Sequence, residues 1–413
     1  MRRLAKIVST CTVTLSLLAG CRTVRDYPPV PVRLQTGGPS RGVAPIETSI
    51  HLINHETPDN QTQSRPTENI LVLSGGGANG AFTAGMLVGW TQTGNRPEFD
   101  VVTGVSTGAL IAPLAFLGAD YDPALRHLFT SENASRIYKR LPLLPWSNAL
   151  ATSEPLRRQI CGMVTERLLC RIASEHDRGR RLYVGTTNLD TQKLVVWDIG
   201  AIATSHHPDK VELVQEIILA SCSVPGLLPP VSINVEIGHR KYSELHVDGG
   251  VSASMFLPPH ILVMAPDGPM TSEHGSTEAV NRITVYTIVA GKADPDPLPV
   301  KLGLLNLSNA SLAGMLRAQQ GHELAQLYLM AHFANARFQL AAIPQSIRTQ
   351  SSALDFDVGA MRALFNEGDR LGSSSAGWID APPGIDPQNW AVPRISTQLT
   401  PGEVSNTTLM LHR

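Results

Sequence analysis

The chain has 413 residues, with 34 Lys and Arg against 35 Asp and Glu, 42% hydrophobic residues and 17% charged ones. That is enough apolar material for the core of one large α/β domain or two ordinary ones, and 34 Gly and 30 Pro are ordinary counts that exclude a fibrous or disordered chain. A formal charge of -1 offers no basic face to displace counterions from phosphates, which excludes nucleic acid as a partner.

Arg2, Arg3 and Lys6 open the chain, and residues 7–18 are apolar apart from Ser, Thr and one Cys, too short a run to span a bilayer. Small residues follow, so residues 1–20 read as a signal peptide. Leu18-Ala19-Gly20-Cys21 resembles the bacterial lipobox, in which the cysteine is diacylated, the chain is cut before it, and the new amine is acylated. The resemblance implies a membrane lipoprotein anchored through Cys21. Arg22, standing where an aspartate would resemble an inner-membrane retention signal, implies the outer membrane facing the periplasm. Removing residues 1–20 leaves 31 basic against 35 acidic side chains. Of the remaining cysteines, Cys161 and Cys170 are a candidate disulfide in an oxidising compartment, with two free thiols as the alternative. A straight helix through both would hold them too far apart. No paired Cys and His pattern appears, and no metal is expected.

Residues 21–66 carry the breakers Tyr27-Pro28-Pro29-Val30-Pro31 and Thr36-Gly37-Gly38-Pro39. They read as a tether between lipid and fold; the alternative is an ordered arm, to which apolar residues 50–53 give slight support. Residues 69–74 are an apolar run stopped by glycines, which predicts a buried strand. A helix is predicted over 81–90, a strand over 99–104 and a helix over 109–117. That is a βαβ unit with both loops at the C-terminal edge of a parallel sheet. Hairpins are predicted from 182–187 with 193–197, and from 231–237 with 241–247, the second delivering Asp248-Gly249-Gly250. Between them, 211–221 reads as a helix closed by Pro225. Residues 283–290 read as a buried strand, 312–340 as mostly helical and 358–371 as a helix, with 373–413 a C-terminal tail. One α/β domain over 67–372 accounts for the pattern.

Gly104-Val105-Ser106-Thr107-Gly108 lies between a predicted strand and helix. A sharp turn there would expose the Ser106 hydroxyl, and the helix start would present free N–H groups to a developing oxyanion, so Ser106 reads as a nucleophile. Upstream, Ser74-Gly75-Gly76-Gly77-Ala78-Asn79-Gly80 offers consecutive amides suited to a phosphate or an oxyanion. Gly75, Gly77 and Gly80 also satisfy a dinucleotide fingerprint, but the acid expected at the end of the next strand is missing. Gly76 and Ser106 are one βαβ step apart, closer than the oxyanion glycines and elbow of an α/β-hydrolase, which would also need an Asp and then a His. His260, His274, His322 and His332 are available, yet none has a catalytic context.

Together the glycine loop, the Gly-x-Ser-x-Gly turn and Asp248-Gly249-Gly250 resemble the patatin-like phospholipase family over roughly residues 69–260. Asn188-Leu189-Asp190, Ser223-Val224-Pro225 and Pro229-Pro230 also look like that family. The resemblance implies a three-layer fold with a largely parallel central sheet, Ser106 as nucleophile and Asp248 as base without histidine. It implies an oxyanion hole from Gly75, Gly76 and Gly77, and no cofactor. Gly80, Gly104, Gly108, Gly249 and Gly250 would let the motif turns close. An ordinary Asp, with a pKa of about 4, is a poor base for a hydroxyl, so partial desolvation of Asp248 is expected. The implied substrate is a phospholipid or another lipid ester. Asn79 stands where the family often has Arg or Lys, which puts phospholipid preference in question. The alternatives are a general carboxylesterase or acyltransferase with the same dyad, a catalytically silent lipid-binding lipoprotein and, further off, a dinucleotide-binding protein. Apolar residues 141–146 and 302–305 are candidates for an acyl pocket or membrane-facing lid, against core packing or a surface loop.

Overall fold

The structure is a computed structural model that describes residues 25–31, 68–131, 137–141, 147–237, 240–263, 283–294, 299–347, 349 and 354–385. The described residues as far as Pro383 belong to one compact unit. Cys21, residues 142–146 and His274 lie outside the described residues.

The chain enters the sheet at β1 (Asn69–Leu73), turns through a short 3-10 segment at Gly77–Asn79 and continues as α1 (Gly80–Gln92). β2 (Val101–Val105) and α2 (Thr107–Leu117) follow. Both helices are buried on every side over most of their length, so neither shows the apolar stripe of a surface helix. Next come α3 (Asp122–Thr130), the short pair β3 (Lys139–Arg140) and β4 (Ala151–Thr152), α4 (Glu154–Met163) and α5 (Glu166–Asp177). β5 (Arg181–Asn188) and β6 (Lys193–Asp198) form the first expected hairpin. α6 (Ile199–Thr204) and α7 (Lys210–Ser221) lead to the second, β7 (Val231–Ile237) with β8 (Arg240–Asp248). Then come α8 (His260–Val263), β9 (Thr284–Val289), the long α9 (Leu304–Phe333), β10 (Arg337–Ala342) and α10 (Val358–Gly372).

The main sheet runs β10-β9-β1-β2-β5-β8-β7, with β6 also paired to β5. The five strands from β10 to β5 are mutually parallel, while β6 and β8 pair antiparallel with β5, and β7 with β8. This is an α/β fold with a mostly parallel central sheet flanked by helices.

Three expectations need correction. The helical reading of 312–340 ran through β10: α9 starts earlier, at Leu304, and ends at Phe333. Asn335 then adopts a left-handed φ of 52°, which helices use to terminate, and the chain re-enters the sheet beside β9. The tether reading fails over Arg25–Pro31 because Arg25 finds a distant counter-ion. Its guanidinium donates to both Asp190 oxygens, at 2.5 and 2.9 Å, and to Ser243 O, Ser243 N donates to Pro28 O at 3.1 Å, and Val30 is buried. The tail reading fails at its start: Trp378 stacks edge-on with Trp90 and Tyr286, and Ile379 bridges to Leu340.

α1 and α10 approach backbone to backbone. A Cβ on Gly85 would lie 2.0 Å from Phe365 O, on Gly89 2.0 Å from Asp369 O, and, reciprocally, on Gly368 2.2 Å from Phe82 O. Gly162 in α4 meets nothing within 4 Å. Gly85→Val is therefore expected to lower unfolding free energy by about 3 kcal/mol or more through overpacking, whereas Gly162→Ala should be neutral or stabilising by up to about 1 kcal/mol. Denaturant titration of the two variants beside the wild type checks both.

Candidate active site

β2 and β8 share one edge of β5. β2 pairs with β5 up to Val105 opposite Gly185, and β8, arriving from the other direction, pairs with it down to Asp248 opposite Thr186. β6 occupies the other edge along residues 183–188. The C-terminal ends of β2 and β8 therefore meet at neighbouring residues of β5, about 3.3 Å apart along the strand.

Immediately after β2, Ser106 takes φ 54° and ψ −122°, a strained conformation for an L-residue that turns its side chain out of the strand as α2 begins. The turn closes because small residues let backbones cross. A Cβ on Gly104 would lie 2.4 Å from Gly108 O, and one on Gly108 2.5 Å from Leu73 O. Ser106 Oγ donates to Asp248 Oδ2 at 2.6 Å, and Asp248 Oδ1 accepts from Gly250 N at 2.7 Å. Both side chains are buried. Burial pushes the Asp248 carboxyl up to about 6, against the lowering pull of the hydrogen bonds from Ser106 and Gly250. No histidine among the described residues bonds to either group; His260, His322 and His332 lie on α8 and α9.

The end of α7 holds the pair from behind. Ser221 Oγ accepts from Ser106 N at 2.9 Å and donates to Gly185 O at 2.6 Å, while Ser223 O accepts from Asp248 N at 2.9 Å. Cys222 Sγ donates to Ser106 O at 3.2 Å, its thiol kept protonated by burial, the largest cause, and by the Asp248 charge. Ser223 belongs to a motif singled out in the sequence, but Ser221 carried no local signal.

Of the three expected oxyanion donors, Gly75 is occupied: its N–H donates to Ser254 O at 2.9 Å. The amides of Gly76 and Gly77 have no protein acceptor among the described residues, and Gly77 lines the cleft at Ser106. Gly75 still requires its small size, since a Cβ there would sit 3.1 Å from Ser106 Cβ. Ser254 is fixed in turn by Glu323 of α9, which accepts from Ser254 N at 3.0 Å, from Ser254 Oγ and from Met255 N at 3.2 Å. Burial raises the Glu323 carboxyl above its ordinary value despite these donors. Gln319, one turn earlier, donates to Glu323 Oε1 at 2.9 Å and to Gly250 O at 3.5 Å. Gly80 packs on Thr107, Gly249 on Gly185 O and Gly250 beside Asp248 Oδ1. Asn79 Oδ1 is buried without a hydrogen-bond partner among the described residues.

An apolar cleft opens at Ser106, walled by Leu110, Phe129, Tyr138, Leu156, Leu228, Phe356 and Met361. A larger cavity of about 580 Å³ lies between β6, the segment after Asp248 and α9; neither Ser106 nor Asp248 lines it. Cys161 and Cys170 do not pair: they sit on different helices, α4 and α5, as exposed free thiols, Cys161 donating to Gln215 Oε1 at 3.3 Å. Among the described residues no cluster of His, Cys, Asp or Glu could hold a metal ion.

The site thus places a buried serine hydroxyl, on a strained strand-to-helix turn, in hydrogen-bonding contact with a carboxylate of raised basicity. Residues 71–262 match the family model of patatin-like phospholipase, and the chain carries such a domain over that range. At family level this is a lipid acyl hydrolase domain. No curated protein matches the chain. Among solved structures it is similar to VipD from Legionella pneumophila, at 12% identity and a TM-score of 0.31, over 74% of this chain and 67% of that one. It is also similar to the ExoU–SpcU complex of the type III secretion system of Pseudomonas aeruginosa, at 18% identity and a TM-score of 0.24, over 64% of this chain. The type III effector ExoU matches at 13% identity and a TM-score of 0.24, over 75% of this chain. The chain spans 52% and 54% of those last two.

Raising the Asp248 pKa from 3.8 to about 6 means that between those values the folded state holds a proton the unfolded state has lost. Stability from this group is thus full below about pH 4 and is lost as pH rises through 6. Asp248→Asn, which does not titrate, should gain on the wild type by roughly 2–3 kcal/mol between pH 4 and pH 7. Denaturant titrations across that window would show the difference; a gap independent of pH would contradict the raised carboxyl.

Proposed function

We propose that the protein hydrolyses carboxylic ester bonds of membrane lipids, as a phospholipase A or lysophospholipase, through a Ser106–Asp248 dyad. The observation that carries this reading is the 2.6 Å bond from Ser106 Oγ to a buried carboxylate, within the range matched to the patatin-like phospholipase family. In the first half-reaction Ser106 Oγ attacks the acyl carbonyl as its proton passes to Asp248. The tetrahedral oxyanion is held by the amides of Gly76 and Gly77 and by the positive end of α2. Collapse breaks the ester C–O bond, and Asp248 returns the proton to the departing alcohol. In the second half-reaction Asp248 takes a proton from water as the oxygen attacks the acyl-enzyme, then gives it to Ser106 Oγ as the acyl–Oγ bond breaks and free fatty acid leaves. The cleft at Ser106 supplies apolar walls for the acyl chain. No cofactor or metal enters these steps.

The N-terminal tetrad ending in Cys21 supports a lipoprotein, and Arg22 directly after it supports the outer membrane facing the periplasm. Arg25 lies only four residues after Cys21 and is bonded to Asp190, so the anchor would hold the domain close to the bilayer that contains its substrate.

The test is release of free fatty acid from phospholipid vesicles and of p-nitrophenol from short- and long-chain esters. Ser106→Ala and Asp248→Asn should each lower kcat by about 10³-fold or more, with fluorophosphonate labelling lost in Ser106→Ala. Labelling that survives in Ser106→Ala, or three equally inactive proteins, would overturn the reading; cleavage confined to short soluble esters would make the protein a general carboxylesterase. Because Asp248 acts as a base only when ionised, kcat/KM should climb through about pH 6 and then level off.

Ser221 touches neither substrate nor proton in this scheme and acts as a positioning residue. Ser221→Ala should lower kcat about 10- to 100-fold with little change in KM, since it frees the Ser106 amide whose position sets the attack geometry. Steady-state kinetics beside a thermal melt would separate this from loss of folding.

A further inference from the structure

α9 has two unlike halves. Leu324, Leu327, Tyr328 and Ala331 are buried in the body of the fold, whereas Leu304, Leu307, Leu312, Met315 and Leu316 are exposed, Leu304 at 81% and Met315 at 70%. Most of the exposed set lies off the buried stripe, which only Leu316, eleven residues before Leu327, borders. Met315 and Leu324 are nine residues apart, about 2.5 turns at 3.6 residues per turn, and so lie on opposite sides of the helix. Leu312 and Leu316 instead share a stripe with Gln319 and Glu323, spaced by four, three and four residues, and those two side chains hold the segment after Asp248. The unpartnered apolar surface is therefore continuous with the side of α9 that faces the site.

Its charge is one-sided as well. Residues 299–322 contain Lys301 and Arg317 and no Asp or Glu. Leu302, just before the helix, is 90% exposed. Among the described residues no helix is long and apolar enough to cross a membrane, α9 included. The N-terminal half of α9, with an apolar face, Arg317 and no carboxylate, is unable to span and fits a place in the plane of a lipid interface.

We propose that the N-terminal half of α9 docks onto an anionic lipid bilayer, with Leu304, Leu307, Leu312, Met315 and Leu316 entering the headgroup–acyl boundary. This rests on the reading of the site as a lipid hydrolase: the docked face brings the lipid substrate to the side of α9 from which Glu323 reaches Ser254 and, through it, Gly75. Arg317 is exposed and lies on the side of the helix away from Met315, and its charge and that of Lys301 add attraction to anionic headgroups over a Debye length.

The test uses the full chain with two readouts. The first is hydrogen exchange over residues 304–318 in the Ser106→Ala background, with and without vesicles of phosphatidylcholine alone or mixed with phosphatidylglycerol. Anionic vesicles should slow exchange there by at least tenfold, phosphatidylcholine alone less. The triple variant Leu304→Gln, Leu312→Gln, Met315→Gln, all exposed and free to change without disturbing the core, should abolish the slowing. The local readout is independent of any anchorage through Cys21. The second readout is hydrolysis: with Ser106 intact, the triple variant should lose at least tenfold on anionic vesicles and nothing on a short soluble ester. No protection with anionic vesicles, or equal protection in the triple variant, overturns the proposal. So does protection without vesicles that rises with protein concentration, which would make the face a contact between two copies. Failure of Ser106→Ala to abolish hydrolysis would instead sink the dyad while leaving the exchange result intact.

Discussion

The structure depends on the antiparallel arrival of β8 at the edge of β5 already used by β2. Gly185 is the last β5 residue opposite β2 and Thr186 the one opposite Asp248, so two chain segments 142 residues apart in sequence end within one strand step of each other. A parallel β8 on that edge would present its other end to Ser106. The junction tolerates no bulk, since Gly249 packs its Cα against Gly185 O, where a Cβ would come within 2.5 Å. The same carbonyl accepts from Ser221 Oγ, which in turn accepts the Ser106 amide. One peptide of β5 thus ties together strand register, Ser106 and Asp248.

Such a site is costly to fold. A serine at positive φ stores of the order of 1–3 kcal/mol, and a buried carboxylate with no cation among the described residues within hydrogen-bonding reach opposes folding once ionised. Both costs fall at the sheet edge, where α2 begins, and are offset elsewhere by α1 and α2, helices buried nearly all round. The glycine contacts between α1 and α10 deepen this by letting two helices pack with no side chain between them. The rigidity of that layer also keeps the strain from relaxing, because Gly104 and Gly108 leave the turn after β2 no free space to unwind into.

What was legible in the sequence was local. Apolar runs stopped by glycines located β1 and β2, and paired runs around short turns located both hairpins. Ser106 and Asp248 were readable because each lies in a glycine-marked turn whose chemistry requires small neighbours. The parts that escaped depend on partners far along the chain. Arg25 finds Asp190, Ser221 finds Ser106 across 115 residues, and Glu323 finds Ser254 across 69. Asp190 and Ser106 lie in recognisable motifs, but nothing in the sequence at Arg25, Ser221, Ser254 or Glu323 marks the contact. β10 was missed for the opposite reason: its short apolar run directly follows a long helix, and the one residue that separates them, Asn335 in the left-handed region, is a weak stop signal beside glycine or proline.

Gly75 shows how one sequence signal can conceal several physical demands. As part of a run of three glycines it reads as one of three equivalent amide donors, yet its N–H is committed to Ser254 O and only its missing side chain matters to Ser106. That commitment makes the glycine loop part of a longer assembly: Gly75 is held by Ser254, and Ser254 by Glu323. The position of the loop beside Ser106 is therefore set from two directions, by β1 through the sheet and by α9 through a buried carboxylate. A displacement of α9 by a fraction of an ångström would reach the Gly75 amide through hydrogen bonds of 3.0 and 2.9 Å, without any change in the sheet that places Ser106 and Asp248. The fold thereby separates the alignment of Ser106 with Asp248, which the sheet fixes, from the placement of the glycine loop beside them, which also depends on α9.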